Sequence, residues 1–216
     1  MPYRGAIFDL DGVLVDTVPL HFEAWKTMFH HHGVAFDEAA YRAKVDGRTR
    51  SDGVRAMMPD ADEATVQRAA DEKQALFTAL LAKQPLKVFD ASISLVHRLA
   101  DGGVPLAVAS SSINLAPILQ RAGVDHRFQV IVSGADVLHG KPDPEIFLRA
   151  ARRLGLAPAD CVVFEDAAAG VEAAKRGGFF CVAIDRLGRP ENLQAADMII
   201  SDLQHLDADQ LFGIRS

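Results

Sequence analysis

The chain has 216 residues, 49% of them apolar, and a formal net charge of −6. That length suits one large domain or a domain carrying an insertion, with enough apolar residues for a core. The acidic balance argues against nucleic acid as a partner, and no apolar run nears the length of a membrane span.

The N-terminus lacks a signal-peptide pattern, so a cytoplasmic monomer is expected. Cys161 and Cys181, the only cysteines, lie in apolar runs, which predicts buried thiols rather than a disulfide.

In chain order, Gly5 to Leu10 reads as a buried strand, stopped by Gly12. Asp9 and Asp11 lie at its end, where acids are costly unless a cation or donors answer them. From about Thr17 to Gln84 the text is helical. Leu20, Ala24, Trp25, Met28 and Phe29 recur at helical spacing, as do Val66, Ala69, Ala70, Leu76, Phe77, Leu80 and Leu81. His30, His31 and His32 are adjacent, so on a helix they point different ways and do not form a metal motif. From Leu86 onward, short apolar runs alternate with helical segments. The runs are Leu106–Ala109, Val130–Val132, Val162–Phe164, Cys181–Ile184 and Met198–Ile200. Between them, predicted helices end at Gly123, Gly155 and Gly177, and Asp143-Pro144 starts one of them.

Strands alternating with helices predict an α/β fold, a doubly wound parallel sheet covered on both faces. The early helical block interrupts it between the first two strands and reads as an inserted cap. The expected division is a core of residues 1–16 and 86–216 and a cap of residues 17–85. In such sheets ligands bind beyond the carboxyl ends of the strands. Those ends carry Asp9 and Asp11, then Ser110-Ser111-Ser112, then Lys141, then Glu165-Asp166. Clustered acids need a counter-charge, and oxygen-only ligands suit Mg²⁺, which also accepts phosphate oxygens. A phosphoryl group fits the remaining donors. One aspartate can attack phosphorus while a second moves the proton.

These motifs together resemble the haloacid dehalogenase superfamily, in the subgroup with a helical cap after the first motif. Asp9-Leu10-Asp11-Gly12, Ser110, Lys141-Pro142 and Glu165-Asp166 match its four signatures in order. The resemblance implies Asp9 as nucleophile, Asp11 as general acid–base, and Ser110 and Lys141 as phosphate binders. It implies Mg²⁺ held by Asp9, the Asp11 carbonyl and Asp166, with Glu165 as a further acid, and it implies that strand one is central in the sheet. The cap resembles that of the β-phosphoglucomutases. His21-Phe22-Glu23-Ala24-Trp25 is similar to their cap-helix signature, Gly47-Arg48-Thr49-Arg50 to their phosphate-binding loop, and Lys73 to a substrate-reaching lysine. Ser111, Ser112 and Asn114 are similar to residues of their second motif. Ile113 and Asp46 stand where that subgroup has lysines.

The expected substrate-binding set is therefore His21, Trp25, Gly47, Arg50, Lys73, Ser111, Ser112 and Asn114. Trp25 fits either the cap core or the substrate. The expected activity is phosphoryl transfer on a phosphosugar. Three classes stay open: a phosphosugar mutase, a phosphosugar phosphatase, and a non-catalytic binding module, which the filled catalytic positions disfavour.

Overall fold

The first apolar run forms β1 (Gly5–Phe8), and all four residues are buried. In the computed structural model, which describes residues 2–214, β1 sits in the middle of a parallel sheet. Its partners are β2 (Leu106–Ser110) and β4 (Cys161–Glu165). Outside these lie β3 (Val130–Ser133), β5 (Phe180–Ile184) and β6 (Met198–Ile200), giving the order β3-β2-β1-β4-β5-β6. Alternate residues of each strand enter opposite cores. Ala6, Phe8, Val108 and Phe164 face one, and Ile7, Ala107 and Val163 face the other. This is the doubly wound α/β fold expected, with strand one central.

The inserted cap follows β1. Its first helix is α1 (Val18–His31), followed by α2 (Glu38–Ala40), which runs into one π-helical turn, Tyr41–Val45. Next come α3 (Arg50–Met57), where the Thr49 hydroxyl accepts from Asp52 N, and α4 (Glu63–Lys83), where Asp62 accepts from Thr65 N. The apolar faces meet in a cap core of Trp25, Met28, Phe29, Tyr41, Val54 and Val66. The helical stretch expected from Thr17 to Gln84 is thus broken into pieces. The pieces end at His32, Asp46 and Met58, and extended N-caps at Asp37, Thr49 and Asp62 begin the next ones.

Chain enters and leaves the cap side by side. Val15 bridges Val88 in antiparallel sense, Asp16 N donates to Lys87 O at 2.8 Å, and Phe89 N donates to Leu14 O at 3.0 Å. The next element is a helix, α5 (Asp90–Asp101), whose Leu95, Val96 and Leu99 pack on the sheet. Then α6 (Leu115–Ala122), α7 (Glu145–Leu154), α8 (Ala168–Arg176) and α9 (Ala208–Phe212) complete the core. The start of α7 falls one residue later than expected, yet Asp143 still accepts from Glu145 N at 2.9 Å. β1 ends at Phe8, two residues short of the expected Leu10; Asp9 still donates its amide to Phe164 O, and the chain bends at Leu10. Cys161 and Cys181 are buried free thiols. Among the described residues no helix is long and apolar enough to cross a membrane.

Candidate active site

Strand order reverses at β1: the chain goes to β2 on one side and β4 on the other. The crevice at that point holds the acids. Asp9 leaves β1 only 6% exposed, with its amide donating to Phe164 O at 2.9 Å. Lys141, 2% exposed, reaches in from the loop before α7. Its Nζ donates to Asp9 Oδ1 at 2.7 Å and also to Glu165 Oε1. Glu165 lies beneath, fully buried, and its Oε2 accepts from the amides of Asp166 (2.7 Å) and Ala167 (2.8 Å). Gly170 makes room, because a Cβ there would stand 1.7 Å from Glu165 Oε1. Burial first, then repulsion from Glu165 and Asp11, lifts Asp9 well above the usual carboxylate range despite Lys141. Burial opposes the charge on Lys141, but Asp9 and Glu165 more than offset it and keep the ammonium protonated.

Asp11 faces the cap instead. Gly12 has φ +80° and begins a tight turn in which its amide donates to Val15 O at 2.8 Å. The turn directs the Asp11 carboxylate toward Thr17, whose hydroxyl donates to Oδ1, and toward Ser110 Oγ at 3.4 Å. His21 Nε2 stands 3.4 Å from Asp11 Oδ1, a charge contact at the outer limit of a hydrogen bond, and has no other partner among the described residues. Lys73 Nζ lies 2.7 Å from His21 Nδ1, and 5.1 Å and 5.0 Å from the ring centres of Trp25 and Phe77. The His21 ring stacks on Phe77 at 4.0 Å. Burial would raise Asp11, but His21, Thr17 and Lys73 together hold it below its ordinary range. Burial lowers His21, with Lys73 adding to the effect. Burial also lowers Lys73, to about 7, helped by Arg50 and opposed by Asp11.

A third group closes the crevice. Ser110 Oγ accepts from Ser112 N at 3.1 Å, and Ser111 Oγ donates to Gly47 O at 2.7 Å, so the cap loop docks on the core. Gly47 needs its positive φ of +73°, and a Cβ there would come within 3.2 Å of Ala167. Arg50 and Arg48 both line the cavity, and neither side chain makes a hydrogen bond or ion pair among the described residues. The space they share with Asp9, Asp11 and Lys141 is about 60 Å³. Of the expected site residues, all but Glu165 and Asn114 line it. Glu165 lies below. Asn114 lies beside it, where its Oδ1 accepts from Gln74 Nε2 at 2.8 Å. Trp25 is cap core, stacked on Phe29 at 5.3 Å, and it also lines the cavity. His31 and His32 share Glu72 at the helix end, at 2.6 and 3.1 Å, away from the cavity.

The acids fit a divalent cation. Asp9, Glu165 and Asp166 each offer an oxygen, all within 4.8 Å of one another. Burial, then repulsion from Asp46, Glu165 and Asp9, raises Asp166 well above its ordinary range, so a cation placed beside it would favour its ionised form. Hard oxygen donors of this kind suit Mg²⁺. The Asp11 side chain is occupied by Thr17 and His21 and is not among these three.

Several neighbours of the site are not conspicuous in the sequence. Thr17 reads as a helix cap, but caps nothing with its side chain; its hydroxyl serves Asp11. Gln74 is one of many polar residues on α4. Asp46 is held by Arg42 Nη1 at 2.6 Å and lines the cavity opposite Asp166. Asp46 stands out in sequence only as a departure from the lysine of the resembled subgroup, and Arg42 only by its four-residue spacing from Asp46, which suits a helical ion pair.

Residues 3–178 match the family model described as haloacid dehalogenase-like hydrolase. The chain is 37% identical to a β-phosphoglucomutase of Mycobacterium tuberculosis over 238 residues, covering 94% of this chain and 91% of that protein. It is 34% identical to the validoxylamine A 7'-phosphate phosphatase of Streptomyces hygroscopicus subsp. limoneus, covering 93% and 94%. The crystal structure of a β-phosphoglucomutase from Clostridium difficile superposes with a TM-score of 0.88 at 26% identity, covering 97% and 95% of the two chains. The chain belongs to the haloacid dehalogenase-like hydrolase family.

Proposed function

We propose that this protein transfers a phosphoryl group on a sugar phosphate through an aspartyl-phosphate at Asp9, with Mg²⁺ as cofactor. The favoured reaction is that of a β-phosphoglucomutase, interconverting β-glucose 1-phosphate and glucose 6-phosphate. The observation that carries the reading is the division between the two aspartates. Asp9 is buried against Lys141, with one carboxylate oxygen accepting no hydrogen bond among the described residues, while Asp11 is held ionised by cap residues. One is set up to attack phosphorus and later leave it, the other to take a proton.

In this reading the free oxygen of Asp9 attacks phosphorus, and the bond to the sugar oxygen breaks. Asp11 gives that oxygen its proton, or takes one from the next sugar hydroxyl when the phosphoryl group leaves Asp9. Lys141 and Ser110 hold the phosphoryl oxygens. Asp9 and Asp166, with the Asp11 carbonyl that the family resemblance implies, would hold Mg²⁺, which would neutralise further charge on the phosphoryl group. An ionised Asp11 suits a resting phosphoenzyme that awaits a sugar hydroxyl. Arg50 and Lys73 grip the distant part of the sugar phosphate, and residues 17–85 act as the moving cap. A cavity of 60 Å³ is far below the roughly 300–1,000 Å³ of ligand sites, so the cap must open to admit substrate.

A phosphosugar phosphatase is the second reading, with water in place of the sugar hydroxyl. It is favoured by Asp46 and Ile113, which place no cation near a second phosphate, and by the engagement of Asn114 with Gln74. The deciding experiment supplies β-glucose 1-phosphate and follows both free phosphate and glucose 6-phosphate, with and without a sugar bisphosphate primer. Primer-dependent glucose 6-phosphate supports the mutase; phosphate release alone supports the phosphatase; neither product refutes both readings for this sugar.

A further inference from the structure

The side chain of Arg186 joins three parts of the molecule: the turn after β1, the segment returning from the cap and the loop after β6. It follows β5 by two residues and lies 83% buried, its side chain 17% exposed. Its Nε donates to Gly12 O at 3.1 Å, in the turn that carries Asp11. Its Nη1 donates to Asp202 Oδ2 at 2.7 Å, just past β6. Its guanidinium carbon lies 3.8 Å from the ring centre of Phe89, in the segment returning from the cap. Phe89 is itself tied by its amide to Leu14 O, two residues beyond Gly12.

Gly12 in turn forms a wall of the acidic site. A Cβ on it would stand 1.9 Å from Asp166 Oδ2, so the Asp166 carboxylate rests against the Gly12 backbone. Moving that peptide moves the surface on which Asp166 is seated. We propose that Arg186 is a positioning residue: by fixing the Gly12 peptide against the returning cap segment, it sets the Asp166 carboxylate for divalent-cation binding and links that setting to the position of the cap. The proposal rests on the reading of Asp166 as a metal ligand. A guanidinium suits the task because its planar fork serves two acceptors in fixed directions while its face stacks on an aromatic ring. An ammonium offers one donor atom and no such plane. Nη2 is buried without a partner among the described residues, so the group is held by these three contacts alone.

The test uses the full chain, stripped of metal and titrated with Mg²⁺ by calorimetry, in wild-type, Arg186→Ala, Arg186→Lys and Asp202→Asn forms, with thermal unfolding alongside. Removing a group that orients a metal ligand typically weakens metal affinity about 10- to 100-fold. Arg186→Ala is expected to weaken Mg²⁺ binding by that factor. Arg186→Lys should lie between it and wild type. Asp202→Asn, which leaves the Nε contact to Gly12 in place, should bind Mg²⁺ nearly as wild type does. The cap link is read from the emission of Trp25, the only tryptophan and a wall of the cavity: its change on adding orthovanadate with Mg²⁺ should need more Mg²⁺ in Arg186→Ala. Wild-type Mg²⁺ affinity in Arg186→Ala overturns the proposal, as does an equal loss in Asp202→Asn, which would mark a general structural role. If Arg186→Ala does not fold, Arg186→Lys decides by the same affinity measurement. If wild type binds Mg²⁺ and the Arg186 variants lose it while no phosphosugar is turned over, the proposal stands and the functional reading falls.

Discussion

Replacing Lys141 by methionine keeps most of the side-chain volume and removes one buried cation shared by two carboxylates. Taking one partner from a buried ion pair typically costs about 3–5 kcal/mol, because a charge is left without an answer. Here the loss is unequal. Glu165 keeps its two backbone donors from Asp166 and Ala167, whereas Asp9 loses its only side-chain partner. The lower end, about 3 kcal/mol, is therefore expected. For a chain of this size that is roughly 6–12 °C in Tm, at about 2–4 °C per kcal/mol.

The deficit should depend on pH in a definite direction. Burial already lifts Asp9 in the native protein, and without Lys141 it is lifted further above its unfolded value. A carboxylate raised in the folded state destabilises the fold when ionised, so the deficit is larger at pH 8 than at pH 5.5. It shrinks as pH falls through the raised folded value toward about 4, where the unfolded carboxylate also takes up a proton. Added Mg²⁺ should recover part of it by supplying another cation. The assay is thermal unfolding of both proteins at pH 8 and pH 5.5, with chelator and with Mg²⁺. Equal stability of Lys141→Met and wild type at pH 8, or a deficit that grows toward acid, would refute the reasoning.

Three further outcomes are expected. Asp9→Asn should abolish turnover and leave the fold intact, since the amide is neither a nucleophile nor a charged metal ligand; wild-type rates with unchanged circular dichroism would remove Asp9 from its role. Because Lys73 titrates at about 7, kcat/KM for a phosphosugar should fall as pH rises past 7 and the cation is lost, while Lys73→Met should flatten that limb; a profile unchanged by the substitution would contradict it. Arg50→Ala should cost about 1.5–3 kcal/mol, the range for a charged hydrogen bond, or roughly 10- to 150-fold in kcat/KM for phosphosugars, and leave a small aryl phosphate nearly unaffected. Equal losses on both substrates would show that Arg50 supports the fold or the core chemistry instead.

The core was legible because its signals are local. Each strand is a short apolar run, and the acids and serines of the crevice follow one directly, while Lys141 lies eight residues beyond β3. Parallel pairing then brings those ends together without further information. The cap was less legible. Its helical residues were plain, but the breaks at Asp37, Thr49 and Asp62 depend on caps that resemble ordinary polar residues in sequence. The helix Asp90–Asp101 was not anticipated as the first element after the cap, although Leu95, Val96 and Leu99 have helical spacing. The contacts that join cap to core were beyond reach, because their partners lie far apart in the chain. Gln74 and Asn114 are separated by 40 residues, Gly47 and Ser111 by 64, and Gly12 and Arg186 by 174. No local pattern names such a partner. The engagement of Asn114 by Gln74 is one result, and it changes what that residue is free to do.

The antiparallel bridge between Val15 and Val88 has a consequence for how such proteins diversify. Because the chain departs and returns at neighbouring points, the core has already closed the loop, and what lies between can vary in length at little entropic cost. In the proposed reading the core carries the reaction, and the insert supplies Arg50 and Lys73, which meet the rest of the substrate. Exchange of the segment between these two points with that of a relative of different substrate should therefore produce a folded chimera whose selectivity follows the insert. Lineages built this way can acquire new substrates without disturbing the residues that perform the chemistry.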